Sequence, residues 1–511
     1  MYLNVHSYYS LRYGTLSIEN IIEQAKLHGV EQMALTDINN STGAMEFVRL
    51  CEKEGIKPLT GIEFRKSAQL LYIGIARNRE GMKELNDFLS FYNLNSQDLP
   101  DKPWDFQNAY IIYPYTKHDQ PLKENEFLGI PYRDLGKLFG RPLSGIQHKL
   151  LALQTVSISN KTSHRLHQYL RAIDLNTILS KISREDQCHE HEVFISPHEL
   201  QQRYSSYPFI ISNTEKLMND CSSSFEKGSK NRKTFTGSAG DDKALLEKLA
   251  MEGMQYRYGR SNREALKRVK KELQVIDELN FSAYFLITWD IIRYSMSRGY
   301  YHIGRGSGAN SIVSFCLRIT DVDPIELDLY FERFLNRQRS SPPDFDIDYS
   351  WDEREDVQDY IFKRYGTNKT ALLGTMSTFK DRSIIREIGK TMGLPAQEID
   401  SFTDPTKGIE NKDNPTFQKI MAIHGFMKDM PNQRSIHAGG VLISEEPITY
   451  YTALDLPPKG MPTVQWDMYE AEAIGYEKFD ILSQRGIGHI KEAVSLILEN
   501  QKVKIDIHSV R

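Results

Sequence analysis

The chain has 511 residues, room for about three domains and a large core, and its 40% apolar, 26% charged and 11% aromatic composition excludes a stapled mini-scaffold, a disordered chain and a fibrous repeat. Sixty-four Lys and Arg against 68 Asp and Glu leave a net charge of −4, so any nucleic-acid surface has to be a local patch. The four cysteines, at 51, 188, 221 and 316, show no paired spacing, and neither a leader-like start nor a long apolar run is present, so a cytoplasmic protein with no membrane span is expected.

The first third alternates strand and helix signals. Residues 1–5 read as a short strand, and Ile18, Ile21, Ile22 and Ala25 recur at helical spacing over 17–28, with Gly29 as a C-cap. A second strand, MALTD, ends at Asp37. Residues 43–54 follow as a helix with Met45, Val48 and Cys51 or Leu50 on one side, and then comes the strand PLTGIEF, ending near Glu63. Successive β-α-β units predict a parallel sheet, and the short strands suit a barrel. His6, Asp37 and Glu63 then fall at or just beyond C-terminal strand ends, where such barrels carry their chemistry. Between 219 and 242 the sequence is rich in Ser, Gly, Lys and Asn without apolar periodicity, which predicts a domain boundary. Residues 257–271 hold seven Lys or Arg against one acid, Glu264, either a solvated helix face or one that meets phosphate.

Three further segments carry chemistry. In IGRGSGANSIVSFCLRI, residues 303–319, three glycines and a serine precede a helical pattern of Ile312, Val313, Cys316 and Leu317. Free N–H groups and the positive helix end can converge there on a phosphate; a tight turn between packed elements is the other reading. In SPPDFDIDYS, residues 341–350, a strand places Asp344, Asp346 and Asp348 on one face and Phe345, Ile347 and Tyr349 on the other. Like charges in a row repel unless a cation sits among them, and a divalent metal with oxygen ligands suits the pattern, as against an edge strand bearing acids to block aggregation. In GYEKFDIL, Asp480 shares a strand face with Lys478 and supplies the further carboxylate that a pair of metal ions needs. Phosphate loop, carboxylate strand and distant carboxylate together argue for two-metal phosphoryl or nucleotidyl transfer.

GRGSGANSIVSFCLRITDVDPIELDLYFERFLN, followed in order by PPDFDID, RSIHAGGVLIS and KFDIL, resembles the palm of the bacterial DNA polymerase III alpha family, the C-family DNA polymerases. LNVHSYYSLRYGTLS, ALTDINNSTG and GIKPLTGIEF resemble that family's polymerase and histidinol phosphatase (PHP) domain, so the resemblance covers essentially the whole chain. It implies an α/β and α+β multidomain protein: a PHP-type (β/α) barrel at 1–235 with a degenerate metal site, then a polymerase-beta-like nucleotidyltransferase palm in two parts, 236–375 and 437–511, with a helical thumb inserted at 376–436. The implied activity is DNA-directed DNA polymerisation, with two Mg²⁺ ions at the palm and nucleotidyl transfer from dNTP to a primer 3′-hydroxyl. Position by position, the resemblance makes Asp344, Asp346 and Asp480 the catalytic metal ligands, and assigns nucleotide contacts to Arg305, Gly306, Ser307, Arg333 and Lys478. Asp348 fills a position the family does not require. The implied partners are primer-template DNA, dNTPs, and the sliding clamp with other replisome subunits. FKDRSIIREIGKTM, residues 379–392, reads as an amphipathic helix with Ile384, Ile385, Ile388 and Met392 inward. It lies where the thumb does, so Lys380, Arg382, Arg386 and Lys390 are expected to meet duplex phosphates, a soluble helix face being the alternative.

The likeness breaks at the PHP metal ligands. The family's His-x-His start becomes Asn4 and His6, its Thr-Asp-His becomes Thr36, Asp37 and Ile38, and later ligand positions hold Leu71, Thr155 and Ser157. Asparagine binds divalent metals weakly, and leucine and isoleucine do not bind them, so no PHP metal cluster is expected. His6, Asp37 and Glu63 are expected to remain as remnants that hydrogen-bond at the barrel mouth. CHEH at 188–191, with His198 nearby, has no second ligand pair at finger spacing. Only 31 residues follow Asp480, whereas the family continues into fingers, a clamp-binding region and an oligonucleotide-binding domain, so this form is expected to be weakly active or inactive alone. Two other readings stay open: a PHP-type phosphoesterase or 3′-exonuclease with an inert palm, and a non-catalytic DNA-binding fragment.

Overall fold

A computed structural model describes residues 1–115, 121–140, 142–338, 344–404 and 413–507. β1 (Tyr2–Val5), α1 (Ile18–Leu27), β2 (Gln32–Leu35), α2 (Ala44–Glu54) and β3 (Lys57–Lys66) form two successive β-α-β units with parallel pairing. The Ser17 side chain caps α1 at the Asn20 N–H, the helix buries Ile18, Ile21, Ile22 and Ala25, and Gly29 leaves it at φ +68°. In α2 the buried stripe is Ala44, Phe47, Val48 and Cys51, so Phe47 replaces Met45 and Leu50 as the core residue.

The sheet expected to be parallel and barrel-like is mixed and, among the described residues, a half-barrel. β3 runs three residues past Glu63 and turns at once, through Ser67 at φ +54°, into the antiparallel β4 (Gln69–Ala76), leaving no crossover helix and placing Glu63 inside the strand rather than at its end. After α3 (Arg79–Leu94) come β5 (Ala109–Pro114), β6 (Glu126–Ile130), β7 (Leu150–Ala152) and β8 (Thr155–Val156). The strand order β7-β6-β5-β4-β3-β2-β1-β8 gives a curled half-barrel with β7 and β8 at its edges. Its helical cover is completed by α4 (Lys161–Asp174), α5 (Pro197–Arg203) and α6 (Pro208–Asp220).

Residues 221–238 are irregular, as the composition predicts, but they are held in place. The Lys230 N–H donates to the Gly475 carbonyl at 2.9 Å, the Arg232 N–H to the Ile443 carbonyl at 2.9 Å, and the Asn231 side chain to the Glu477 carbonyl at 2.8 Å. The segment is a mostly exposed strap, anchored where Lys230 and Asn231 are buried.

The second half has α7 (Ala239–Tyr258), α8 (Arg263–Glu278), α9 (Ser282–Ser297), β9 (His302–Arg305), α10 (Ile312–Cys316), β10 (Phe345–Ser350), α11 (Arg354–Tyr365) and β11 (Thr370–Thr378). Then come α12 (Asp381–Thr391), α13 (Ala396–Thr403), α14 (Pro415–Met427), β12 (Pro431–Ile443), β13 (Leu454–Asp455), β14 (Thr463–Val464), α15 (Met468–Ile474), β15 (Phe479–Gln484) and α16 (Arg485–Gln501). Its sheet has the order β13-β14-β11-β12-β15-β10-β9. One core joins Phe345, Ile347, Tyr349, Phe479 and Ile481 of this sheet to apolar residues of α7 to α11, so the helices cover one sheet face. The helices inserted between β11 and β12 bury Ile384, Ile388, Phe402, Ile420, Ile423 and Met427 together with Leu166, Tyr169, Leu170 and Ile173 of α4, which docks them on the N-terminal half. Among the described residues no helix is long and apolar enough to cross a membrane.

Candidate active site

β10 and β15 run side by side and parallel, with Asp346 opposite Asp480 and Phe345 opposite Phe479. The two-residue alternation of a strand sends the aromatic and aliphatic residues into the helix-covered core and turns Asp346, Asp348 and Asp480 to the other face. Asp344 stands just before β10; residues 341–343 of the same motif lie outside the described residues. One carboxylate oxygen from each of Asp344, Asp346 and Asp480 lies within 4.8 Å of the other two, the only such grouping of three potential metal ligands among the described residues.

Crowding has an electrostatic cost that local cations offset. Burial, and then the neighbouring Asp344, push the Asp346 carboxyl up to about 6 against the opposing pull of Arg305. Lys478 Nζ donates to Asp344 Oδ2 at 2.9 Å and also to Asp480, bridging two of the carboxylates. Arg305 donates from Nη1 to Asp346 Oδ2 at 3.0 Å and from Nε to Asp348 Oδ2 at 2.8 Å, so Asp348 serves as an arginine partner beside the cluster. The buried Oδ1 atoms of Asp344 and Asp480 have no hydrogen-bond partner. Unpartnered anionic oxygens in a carboxylate cluster are the donors a hard divalent cation takes, and the residues present fit Mg²⁺.

The glycine-rich loop lies directly against these carboxylates. β9 pairs antiparallel with β10, Arg305 opposite Asp346, and Gly306 follows at φ +75°. A Cβ on Gly306 would sit 3.0 Å from Asp346 Oδ2, and one on Gly308 would sit 2.7 Å from the Phe345 ring, so only glycine allows this approach. The expectation that a free helix end joins the loop is corrected. α10 has five residues, and its start is taken up internally: the buried Glu272 carboxylate accepts from the Val313 N–H at 3.2 Å and from the Ser311 hydroxyl at 2.7 Å. What the loop can offer a phosphate is Gly306 and Ser307, next to Arg305. Arg333 lies exposed on the turn Phe331–Arg333, whose neighbour Phe334 packs 5.1 Å from the Phe345 ring.

One residue the sequence reading passed over is His437. On β12, next to β15, its Nδ1 accepts from the N–H groups of Gly439 at 3.3 Å and Gly440 at 2.9 Å and lies 3.7 Å from Asp480 Oδ1. Burial lowers its pKa, and the neutral ring with Nδ1 accepting leaves its hydrogen on Nε2. The signal was a histidine two residues before a Gly-Gly pair inside a motif already noted.

The degenerate PHP positions meet in a buried network. Asn4 Nδ2 donates to Glu63 Oε2 at 2.7 Å and to Thr155 Oγ1 at 3.1 Å, and Thr36 Oγ1 donates to Asn4 Oδ1 at 2.7 Å. His6 Nε2 lies 3.0 Å from Glu63 Oε2 and its Nδ1 2.9 Å from Ser157 Oγ. Asp37 accepts from the Ser7 N–H at 2.7 Å, the Ser7 hydroxyl at 2.7 Å and the Ser10 hydroxyl at 2.6 Å. Arg65, stacked 4.4 Å over the Tyr13 ring, pairs with Glu63. Burial would raise the Glu63 carboxyl, but Arg65, His6 and Asn4 outweigh it and hold it down at about 2. Leu71 is a core residue of β4.

The remaining expectations divide. On α12, Ile384 and Ile388 are buried while Ile385 and Met392 are only half-buried. Arg382 and Arg386 are exposed and make no ion pair among the described residues, whereas Lys380 pairs with Asp429, and Lys390 with Glu387 at 2.8 Å. The basic run of 257–271 is partly spent on the protein's own acids, with Arg257 on Asp321 at 2.8 Å, Arg268 on the buried Glu272 at 3.2 Å and, at the surface, Lys271 on Glu332 at 2.6 Å. Around CHEH, Cys188 is buried with its N–H on His167 Nε2, while His189 and His191 stack at 5.0 Å and His198 is exposed on α5.

A half-barrel of this kind joined to a sheet that displays three carboxylates beside a glycine loop defines a two-part class, a PHP domain followed by a polymerase nucleotide domain. The sequence model of the PHP domain matches residues 3–144, and that of the bacterial DNA polymerase III alpha NTPase domain matches residues 244–483. The chain belongs to the bacterial DNA polymerase III alpha family. It is 29% identical to a DNA polymerase III subunit alpha of Halalkalibacterium halodurans over 98% of this chain and 49% of that one. It is 30% identical to an error-prone DNA polymerase of Saccharophagus degradans over 91% of this chain and 49% of that one, and 26% identical to the error-prone DNA polymerase of Symbiobacterium thermophilum over 97% and 52%. The chain thus spans about half the length of the curated relatives it matches.

Proposed function

We propose that this chain carries the nucleotidyl-transfer centre of a DNA-directed DNA polymerase catalytic subunit. The observation that carries the reading is the register of β10 against β15, which sets Asp346 beside Asp480 with Asp344 in reach and two of their oxygens unpartnered. In this reading the second sheet is a palm of two parts, 236–375 and 437–511, and α12 to α14 are a thumb at 376–436, following a PHP domain at 1–235. Asp344, Asp346 and Asp480 would hold two Mg²⁺ ions, which supply charge neutralisation for a triphosphate and make the primer 3′-hydroxyl easier to deprotonate. The chain's own residues do the positioning. Gly306 and Ser307 present backbone groups to the phosphates, and Arg305, Lys478 and Arg333 bind the charge the ions leave uncompensated. Lys478, whose ammonium bridges Asp344 and Asp480, would be placed to pair with the nucleotide's phosphates once metal charge compensates those carboxylates. Primer-template DNA and dNTPs are the substrates; the sliding clamp and other replisome subunits are partners by family likeness, and the cytoplasm is the compartment.

Titrating the chain with dATP, dTTP and dADP, with and without Mg²⁺, tests this. Similar affinity for dATP and dTTP, weaker binding of dADP and loss of binding without Mg²⁺ are expected, because recognition is by phosphate. Binding that ignores Mg²⁺ would contradict it. Exposed Arg382 and Arg386 should contact duplex phosphates: the Arg382→Ala/Arg386→Ala pair is expected to weaken DNA binding for all sequences alike and to reduce the log–log salt slope by about 2, near 0.9 per phosphate lost.

In the PHP domain the network of Asn4, His6, Glu63, Thr155 and Ser157 supports a structural role rather than a phosphoesterase or exonuclease centre, since the ligand positions are bonded to one another. Elemental analysis of purified protein is expected to find no stoichiometric zinc or manganese. Two or three tightly bound metal ions per chain would overturn this.

A further inference from the structure

α8 looks like a surface helix with basic residues, yet one of its cations reaches inward to the two segments that carry the nucleotide contacts. Arg268 Nη2 donates to the Asn310 carbonyl at 3.0 Å and to the Leu329 carbonyl, and its Nη1 donates to the Pro324 carbonyl at 3.1 Å. Asn310 in turn donates from Nδ2 to the Ser307 carbonyl at 2.8 Å. The guanidinium therefore ties the end of the glycine loop, through Asn310, to the stretch that leads into the turn bearing Arg333. One helical turn on, Lys271 pairs with Glu332 of that turn at 2.6 Å.

Glu272 completes the strut. It is fully buried, accepts from Arg268 Nε at 3.2 Å, and with its other oxygen accepts from the Ser311 hydroxyl and the Val313 N–H, which fixes the start of α10 immediately after the loop. A planar fork with five N–H donors can gather three carbonyls and a carboxylate in one geometry; a lysine ammonium on a flexible stem cannot. The segments it gathers belong to no strand or α-helix: Gly306–Asn310 is a 3-10 turn, and residues 324–329 are a turn closed locally by the Leu329 N–H on the Pro324 carbonyl at 2.9 Å, so each is ordered within itself while Arg268 sets one against the other.

We propose that Arg268, seated by Glu272, is a positioning residue for the triphosphate, holding Gly306–Ser307 and the Arg333 turn at a fixed separation. The inference rests on the nucleotidyl-transfer reading of the carboxylate cluster. Arg268 touches neither the carboxylates nor Arg305 in any described contact, so its loss should loosen phosphate recognition while sparing the metal ligands.

The test is paired measurement on the whole chain: affinity for Mg²⁺·dATP by calorimetry, and Mn²⁺ binding without nucleotide by electron paramagnetic resonance. Arg268→Met is expected to weaken nucleotide binding by about tenfold or more, as an ångström-scale loss of position does, with Mn²⁺ binding unchanged within about twofold. Arg268→Lys should not restore the affinity. If Arg268→Met does not fold, Glu272→Gln decides the matter: its carboxamide can still accept from Val313 but no longer neutralises Arg268, and a smaller loss of nucleotide affinity in the same direction is expected. A folded Arg268→Met or Glu272→Gln protein with wild-type nucleotide affinity would overturn the proposal, as would parallel loss of Mn²⁺ binding. Wild-type protein that binds Mn²⁺ but no nucleotide would overturn the parent reading itself.

Discussion

Replacing Asp346 by Asn is expected to abolish Mg²⁺-dependent nucleotide binding while leaving the protein folded. Asp346 stands two residues after Asp344 and opposite Asp480 on the neighbouring strand, and it belongs to the one grouping of three potential metal ligands among the described residues. An amide oxygen is a neutral donor, so the site loses one of three negative charges as well as a ligand, and a loss of about a hundredfold or more is expected, at the upper end of what losing even a supporting group around a metal costs. The apo protein should not suffer. Burial and Asp344 already disfavour the ionised form of Asp346, and Arg305 keeps Asp348 as a partner, so relieving like-charge crowding should leave stability equal or raise it by up to about 1 kcal/mol. Nucleotide calorimetry with thermal denaturation separates the two effects. Retained Mg²⁺-dependent binding in a folded Asp346→Asn protein would sink the assignment.

The largest stability effect is expected from Glu63→Ala. Glu63 is fully buried and is the common partner of Arg65, His6 and Asn4. Its removal strands an arginine that is itself mostly buried, and breaking one side of such a pair costs about 3–5 kcal/mol, enough to unfold a marginal domain. Glu63→Gln, which keeps the shape and one acceptor, should cost less. The pH dependence follows from the sign of the shift: a carboxyl held at about 2 when folded gives stability that is fully present above its unfolded value near 4.5 and is lost as pH falls toward 2. A depression of that size corresponds to roughly 3 kcal/mol at neutral pH. Urea denaturation of wild type at pH 7 and pH 3 should show this loss of stability in acid, and Glu63→Gln should show much less of it. An acid dependence equal to wild type in Glu63→Gln would assign the acid sensitivity elsewhere.

The parts of the protein that follow from short-range periodicity were legible in the sequence. α1 forms over the residues whose spacing marks it, and the alternation of PDFDIDY puts its acids and aromatics on opposite faces because strand geometry permits nothing else. The pairing of Asp480 with that strand is different in kind. Asp480 lies 134 residues from Asp346, and only the register of β10 with β15 brings them together, so local pattern could nominate the two segments while the likeness to a family joined them. The antiparallel turn-back after β3 is not legible locally, because β3 looks like every other strand of a β-α-β series until its partner is known; the reversal is made by the turn at Ser67 and Ala68, which carries no strong turn signature. Charge was the least legible property. The run over 257–271 reads as a basic surface, yet Arg268 faces inward and Arg257 and Lys271 carry acids from distant segments, which local counting cannot reveal. In the same way the network of His6 and Glu63 was foreseeable as a loss of metal ligands, but the arrival of Arg65 as its internal cation was not.

The measurement that bears most directly on the central claim is the anomalous scattering of Mn²⁺ in crystals of this chain grown with a non-hydrolysable dNTP analogue. The account expects manganese peaks among Asp344, Asp346 and Asp480, the analogue's triphosphate beside Gly306 and Ser307, Lys478 withdrawn from its bridge between Asp344 and Asp480, and no peak within the network of His6 and Glu63. Manganese bound in the N-terminal network, with Asp344 and Asp480 still bridged by Lys478, would contradict it.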